Sequence, residues 1–240
     1  MEYRNYSISS GKGKLYLKEK QATTGYIEVS YGTEGKTTFH KYEDSIKGTP
    51  KSLEVKEVPY EGKTLKFLEL VLLDGEIANK VSVPLKNPKG NYSDETKVLL
   101  SALNNLELGK EVTLTTKTKT TTSATNGKEY RNLNVYINYV NKLGENGKGL
   151  STGFIPYGDI PKPIEKMVAG DKVYDWTPQT EFFYSKLGEL VIKFTASSTT
   201  QAPAPKVETN SANALPPQSA SNAFEPADTS KKEDFDNLPF

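Results

Sequence analysis

Residues 93–109, SDETKVLLSALNNLELG, predict a helix in the middle of a run of predicted strands. Ser93 is a typical N-cap, and Asp94 and Glu95 place acidic groups in the first turn, where the helix dipole favours them. Gly109 is typical of the position just beyond a helix end. Four apolar residues recur at the spacing of one helix face, namely Leu99, Ala102, Leu103 and Leu106. The position of this helix in the order of elements decides the fold prediction.

Short β-like segments lie on both sides of the helix. Three predicted strands precede it, at 52–60, 64–73 and 77–85, and two follow it, at 112–120 and 128–140, joined by a polar tip. Three strands, a helix and a two-stranded hairpin are the order of an OB-fold, a five-stranded, partly open Greek-key barrel. We therefore predict a mainly β protein with an OB-fold-like five-stranded barrel and one helix between strands 3 and 4. Residues 25–43 predict an added N-terminal hairpin.

The composition limits the class of protein. The 240 residues are enough for one sizeable core or two small ones, and the absence of Cys excludes disulfides and thiolate chemistry. The first residues, MEYRNYSISS, have no signal-peptide pattern, and no window reaches the length of a membrane span. We expect a soluble cytoplasmic protein without membrane contact.

The segment from 153 to 194 has no single interpretation. Thr177-Pro178 fits a helix start, and the apolar residues that follow fit a helical stripe: Phe183, Leu187, Leu190, Val191 and Phe194. Gly188 argues against an uninterrupted helix, and two short strands also fit. The pattern favours the helix.

The last 45 residues differ from the rest in composition. Residues 196–232 are rich in Ser, Ala, Pro, Thr and Asn, so they predict a disordered linker between a domain at 1–195 and a tip at 233–240. Residues 1–195 hold 28 Lys and Arg against 24 Asp and Glu, whereas residues 196–240 hold three against six. A basic body therefore carries an acidic tail.

Enzyme signatures are nearly absent. The glycine-rich stretches near Gly11 and Gly144 lack the Lys-Ser/Thr ending of a phosphate-binding loop. His40 is the only histidine, so no multi-histidine metal site is available, and on its predicted strand it is expected to face solvent. We expect no catalytic residue, no metal and no cofactor.

The strand at 128–140 suggests a binding surface. Alternation places Leu133, Val135 and Ile137 on one face and a row of tyrosines and asparagines on the other: Tyr130, Asn132, Asn134, Tyr136 and Asn138. Exposed aromatic rings can stack on unpaired bases. Four basic residues near this hairpin are candidate phosphate contacts, namely Lys117, Lys119, Lys128 and Arg131. The structural alternative is that Tyr and Thr are simply good strand formers.

A second aromatic and basic group lies in the stretch KTTFHKY. Alternation gives Lys36, His40 and Tyr42 a common face. This group either extends the same binding surface or packs the N-terminal hairpin, and packing is slightly favoured.

The ending EDFDNLPF places bulky apolar groups at the tip of a polar tail, which is typical of a peptide ligand. An OB-like body, a Pro- and Ser-rich linker and an acidic tip ending in Leu-Pro-Phe resemble the bacterial and phage single-stranded DNA-binding proteins, most closely a phage-encoded version. The match covers six tip residues: Asp234, Phe235, Asp236, Leu238, Pro239 and Phe240.

The resemblance implies a non-catalytic protein that coats single-stranded DNA in replication, recombination and repair. It implies that the tip recruits replication and repair proteins, and it leaves homo-oligomerisation possible. Two alternatives remain open at this point: a structural or scaffolding protein of a virion, and a metal-dependent nuclease with scattered carboxylates.

Overall fold

The structure is a computed structural model that describes residues 1–31, 36–60, 62–122, 127–145 and 147–199. The chain is mainly β, as predicted. The strands are β1 (Glu2–Ser9), β2 (Lys14–Glu19), β3 (Ile27–Tyr31), β4 (Lys36–Glu43), β5 (Ser45–Tyr60), β6 (Lys63–Asp74), β7 (Ile77–Pro84), β8 (Val112–Thr122), β9 (Glu129–Leu143), β10 (Gly149–Ser151), β11 (Ile164–Val168) and β12 (Asp171–Asp175). The helices are α1 (Asp94–Leu103) and α2 (Thr177–Thr199).

Ten strands form one mixed sheet in the order β10-β9-β8-β5-β6-β7-β1-β2-β4-β3, and β11 and β12 form a separate pair. Within the large sheet, β5, β6 and β7 are a meander, and β8 returns after α1 to pair antiparallel with β5. Three consecutive strands with the fourth beside the first make a Greek key. The N-terminal strand β1 pairs with β7 in parallel, which extends the sheet on the other side.

The predicted five-stranded barrel is not confirmed: the described residues form a ten-stranded mixed sheet that does not close on itself. The turn between β1 and β2 instead meets β8 through hydrogen bonds from side chains. Thr116 Oγ1 donates to the Gly13 carbonyl at 3.0 Å, and Thr118 Oγ1 donates to the Ser10 carbonyl at 3.1 Å. The sheet is therefore curled, with this turn resting on β8 where a barrel would have a strand ladder.

The core lies on one face of the sheet and is covered by the two helices. Leu68, Leu70 and Leu72 point inward from β6, which is a central strand of the sheet. Leu99 and Leu103 of α1 and four residues of α2 enter the same apolar cluster, the latter being Phe183, Leu187, Leu190 and Phe194. Alternate residues on β5 to β9 thus face the core, and those between them form the opposite face.

α1 begins as predicted and ends earlier. Ser93 caps it by accepting a hydrogen bond from Thr96 N at 3.1 Å, and its own hydroxyl donates to the Pro84 carbonyl, which ties the helix start to β7. The helix ends at Leu103 with Asn104 as its C-cap, so the interpretation of Gly109 as its stop is wrong. Asn has low helix propensity, and Leu106 reaches the core from the following turn.

Both interpretations of residues 153–194 are partly right. β11 and β12 form a short hairpin, and α2 follows it without a break at Gly188, which is exposed and where a Cβ would meet nothing within 4 Å. α2 continues to Thr199, four residues beyond the predicted domain boundary at 195. Neither helix of the described residues is both long enough and apolar enough to cross a membrane.

The predicted N-terminal hairpin at 25–43 is confirmed as the antiparallel pair β3 and β4. The strands β1 and β2 were not expected from the sequence. The linker from residue 200 onward and the tip at 233–240 lie outside the described residues.

A bulge in β5 keeps the two faces consistent along this 16-residue strand. Its register against β6 shifts between Pro50 and Ser52, so that Lys51 is the extra residue. Ile46 before the bulge and Leu53 after it are both buried, although they are separated by an odd number of positions. The bulge therefore lets one strand pair with β8 at its start and with β6 beyond it without exposing the core.

We predict that Gly13→Ala destabilises the fold by about 2–4 kcal/mol. Gly13 has a φ of +62°, and a Cβ there would lie 2.2 Å from Thr118 N. The free energy of unfolding is measured by urea denaturation.

Gly11→Ala is the matched control, because Gly11 lies in the same turn and a Cβ there meets nothing within 4 Å. Equal stabilities of the two variants would show that the contact between the turn and β8 does not constrain the fold.

Candidate nucleic-acid interface

The hairpin of β8 and β9 carries the predicted tyrosine and asparagine row on one face. Tyr136 lies opposite Thr115, Asn134 opposite Lys117, Asn132 opposite Lys119 and Tyr130 opposite Thr121. Directly opposed residues of an antiparallel pair point to the same side. The register therefore brings both lysines onto the face of the tyrosines, as the alternation predicts, and we call this set the β8–β9 polar face.

The other side of the same hairpin is apolar where it covers the core. Leu133, Val135 and Ile137 are buried there, as predicted. Arg131 lies opposite Thr120 and belongs to this side, beyond the point at which the core ends. It is exposed but points away from Lys117 and Lys119. Lys128 is exposed and precedes β9, next to tip residues 123–126 that lie outside the described residues.

Neighbouring groups orient the polar face. Asn132 Nδ2 donates to Thr121 Oγ1 at 2.8 Å, and Asn134 Nδ2 donates to the Asn132 carbonyl at 3.2 Å. The Tyr136 ring packs edge-on against Phe154, with centroids 5.6 Å apart. Tyr130 is 49% exposed, so its ring is the more accessible of the two tyrosines for stacking.

The second predicted group lies on the same face of the sheet as the first. The strand pairs show this when one side of the sheet is followed from β8 to β4. Lys47 of β5 lies opposite Thr113 of β8 and therefore on the side of Lys117 and Lys119. The same side continues through β6, β7 and β1 to Tyr16 on β2, which lies opposite Tyr42 on β4. This is the side opposite the core, here called the outer face. Lys36 starts β4, and its side chain lies outside the described residues.

His40 is buried within this second group, so the expectation that it faces solvent is wrong. Its side chain is 4% exposed and its ring stacks on Tyr16, with centroids 4.4 Å apart and an interplanar angle of 15°. Its two ring nitrogens lie 3.3 Å from Tyr42 Oη and 3.1 Å from Thr38 Oγ1. Burial lowers the His40 pKa, and the positive charges of Lys18 and Lys12 lower it further. His40 therefore holds two half-buried tyrosines in place, and a base cannot reach it directly.

Sequence reasoning missed a third part of the outer face, on the long hairpin of β5 and β6. There Lys56 lies opposite Phe67, Val58 opposite Leu65 and Tyr60 opposite Lys63. Tyr60 is 56% exposed. The alternation in EVKEVPY and KTLKFLEL carries the same aromatic and basic pattern as the β8–β9 polar face and is the signal that was available. We call these six residues the β5–β6 arm face.

Further cation and ring pairs lie between these regions. Lys80 Nζ is 4.7 Å from the ring centroid of Tyr3, and Lys12 Nζ is 4.0 Å from that of Tyr42. Both pairs place a positive charge over an aromatic ring on or beside the outer face. Tyr3 belonged to no predicted set because β1 was not expected as a strand.

Carboxylates paired with the lysines of the outer face reduce its positive charge. Glu54 Oε1 is 2.9 Å from Lys56 Nζ, and Glu69 Oε1 is 3.7 Å from Lys80 Nζ. The Lys117 and Lys119 side chains, at the β8–β9 end of the face, are both exposed. The arrangement offers rings for stacking and ammonium groups for an anionic chain.

Within the described ranges no group of three or more His, Asp or Glu side chains is placed to hold a metal ion. The six tip residues proposed to bind partners, Asp234, Phe235, Asp236, Leu238, Pro239 and Phe240, lie outside those ranges. Comparison of the chain with protein-family models, with curated protein sequences and with solved structures found no match.

Proposed function

We propose that this protein binds and protects single-stranded DNA, without strong sequence preference and without catalysis, in replication, recombination and repair. The observation that carries the proposal is the β8–β9 polar face, where Tyr130, Lys117 and Lys119 share one exposed surface through their strand register. Rings that stack on bases, next to cations that contact phosphates, are the combination found in sequence-tolerant single-strand binders.

The fold supports the proposal through its strand order. β8 beside β5 makes the Greek key of strands β5 to β8, and α1 stands between the third and fourth of them. This is the order expected of an OB-fold, whose sheet face and loops bind oligonucleotides. We propose that β5 to β9 are an opened OB-type unit, with β1 occupying the free edge of β7.

The two long hairpins of this unit extend the outer face at both ends. The β5–β6 arm face contributes Tyr60 and Phe67, and the β8–β9 polar face contributes Tyr130 and Tyr136. A flexible single strand can follow such a path because its bases unstack one at a time, whereas duplex DNA keeps its bases paired inside. We therefore expect a preference for single strands.

The tip at 233–240 is the proposed contact for replication and repair proteins, and it would act in the cytoplasm of a bacterial host. This part of the proposal depends on the resemblance of residues 234–240 to the tips of single-stranded DNA-binding proteins. Leu238 and Phe240 supply apolar groups, and the neighbouring aspartates supply charge for a basic pocket.

The tests also distinguish two other functions from single-stranded DNA binding. A virion scaffold would show no salt-sensitive binding to oligothymidine. A metal-dependent nuclease would degrade the oligonucleotide when Mg²⁺ or Mn²⁺ is added. Titration of labelled oligothymidine and of a duplex of equal length, at matched salt and with EDTA or Mg²⁺, separates all three functions.

We predict that Tyr130→Ala weakens binding to oligothymidine by about 1–3 kcal/mol, because it removes one stacking ring. Fluorescence anisotropy of the labelled oligonucleotide measures the change. Tyr157→Ala is the control, since Tyr157 is 81% exposed and lies on a short 3-10 turn outside the sheet. An equal loss in both variants, or none in a folded Tyr130→Ala variant, would contradict the stacking role.

We predict that Lys119→Ala lowers the salt dependence of binding, by roughly 0.7 in the slope of log affinity against log salt for one lost phosphate contact. Arg131→Ala removes a charge of the same sign from the opposite side of the same hairpin and leaves the slope nearly unchanged. Affinities measured from low to high salt give both slopes. If Arg131→Ala has the larger effect, the strand passes over the other face of the hairpin.

We predict that deletion of residues 233–240 abolishes the capture of replication and repair proteins and leaves oligothymidine affinity intact. The reason is that the proposed ligand for those proteins lies in the deleted segment, whereas the stacking rings lie on the sheet. Pull-down from a bacterial lysate and anisotropy measure the two properties. A truncated protein that keeps its partners would refute the role of the tip.

A further inference from the structure

The hairpin of β11 and β12 is separate from the large sheet. Its five residue pairs run from Ile164 opposite Asp175 to Val168 opposite Asp171, and it forms a two-stranded sheet of its own. All its residues except Asp175 are exposed. Each strand thus has one edge that pairs with no other strand among the described residues.

This hairpin exposes apolar side chains on both of its faces. Ile164, Val168 and Val173 lie on one face and Met167 and Tyr174 on the other, and each is between 46% and 63% exposed. Apolar residues exposed singly are ordinary, but five on a single short hairpin form a patch typical of a protein interface.

Four of the five charged side chains of the hairpin form ion pairs within it. Lys166 Nζ lies 2.6 Å from Asp175 Oδ2, and Lys172 Nζ lies 2.8 Å from Glu165 Oε1. Asp175 Oδ1 also accepts the Thr177 N–H at 2.9 Å at the start of α2. The hairpin therefore carries one net negative charge, which does not attract a nucleic acid and repels a second copy only weakly when it is exposed to solvent.

The hairpin also lacks the interactions that normally stabilise a β-hairpin. An isolated two-stranded sheet is marginally stable in water, and a third strand or a packing partner is usually required. Its turn adds strain, because Ala169 adopts a φ of +52°, a left-handed conformation that alanine rarely takes. An additional strand along the open edge would stabilise both strands.

We propose that the added strand is β12 of a second copy of this chain, so that two hairpins join into a four-stranded sheet across a two-fold axis at Val173. The proposal concerns assembly and does not depend on nucleic-acid binding. A two-fold axis makes the contact self-complementary, since each residue meets its symmetry mate.

Antiparallel pairing about this axis brings compatible side chains together. Val173 faces the partner's Val173, and Lys172 faces the partner's Tyr174 on the other side of the sheet, an arrangement that favours apolar and cation–π contacts. Asp171 faces the partner's Asp175, whose charge is already neutralised by Lys166 in its own hairpin. Pairing through β11 about its central residue would instead place Lys166, which is likewise paired with Asp175, on the axis against the partner's Lys166, where no apolar contact forms. The side chains therefore favour β12 as the joining strand.

The absence of Cys from the sequence allows a direct test by disulfide formation. In the paired sheet the two Val173 Cα atoms lie about 4.5–5.5 Å apart, within the range of a disulfide. Val173→Cys is therefore expected to give a covalent dimer under mild oxidation. Val168→Cys is the control: Val168 is more exposed than Val173, yet it lies on the far strand, about 20 Å from its symmetry mate, at three strand spacings across the sheet and four residues along it.

The second measurement is sedimentation of the protein without substitutions. The concentration is varied from about 1 µM to about 1 mM, because an interface of this small size associates weakly. Val173→Asp places two carboxylates on the axis and is expected to abolish self-association while leaving thermal unfolding of the main sheet unchanged.

Selective crosslinking at residue 173 together with dissociation by Val173→Asp supports the proposal. Equal crosslinking at residues 168 and 173, a protein that stays monomeric throughout, or a dimer that survives Val173→Asp overturns it. If the protein is monomeric and the Val173→Asp variant binds DNA more weakly, the hairpin contacts nucleic acid, and this result would also overturn the proposal.

Discussion

The contact between the β1–β2 turn and β8 constrains the rest of this structure. β8 pairs with β5 through only four residue pairs, Ser45 to Gly48, and then continues past the end of that ladder into the β8–β9 hairpin. Thr116 and Thr118 hold it to the carbonyls of Gly13 and Ser10 at the point where the ladder ends. A glycine is required at position 13 because any side chain would collide with the β8 backbone. Without this contact the β8–β9 hairpin would be held to the sheet at one end only.

The same contact determines where the candidate interface lies. Because the sheet curls until its β1–β2 turn rests on β8, the outer face is a continuous curved surface with a long hairpin at each end. The two sets of aromatic and basic residues that were recognised in the sequence, around Tyr130 and around Tyr42, are far apart in the chain. They belong to one face because the strand registers between them are continuous.

The sequence predicts the local pattern well and the long-range pairing poorly. Alternation in YRNLNVYINY correctly separates the buried Leu133 and Ile137 from the exposed Tyr130. The strands β1 and β2 were missed although KLYLKE alternates in the same way, because a short alternating segment is convincing only when its partner is known. The parallel pairing of β1 with β7 joins residues more than 70 positions apart, and nothing local specifies it. His40 shows the same limit: Tyr16, on another strand, stacks on its ring and helps to bury it.

The bulge at Lys51 has a consequence for how this protein can change in length. Every pair beyond it, up to Tyr60 and Lys63 at the end of the β5–β6 hairpin, keeps its inward or outward direction because the bulge absorbs that single extra residue. Loss of Lys51 would remove the bulge and leave these directions unchanged, whereas loss of one residue from the regular ladder between Leu53 and Tyr60 would turn the β5 side chains beyond it to the other side. Related chains can therefore lengthen or shorten this arm only by matched pairs of residues at its tip, two at a time on each strand. The reach of the arm would then vary in steps of about 7 Å, while the surface that it presents stays the same.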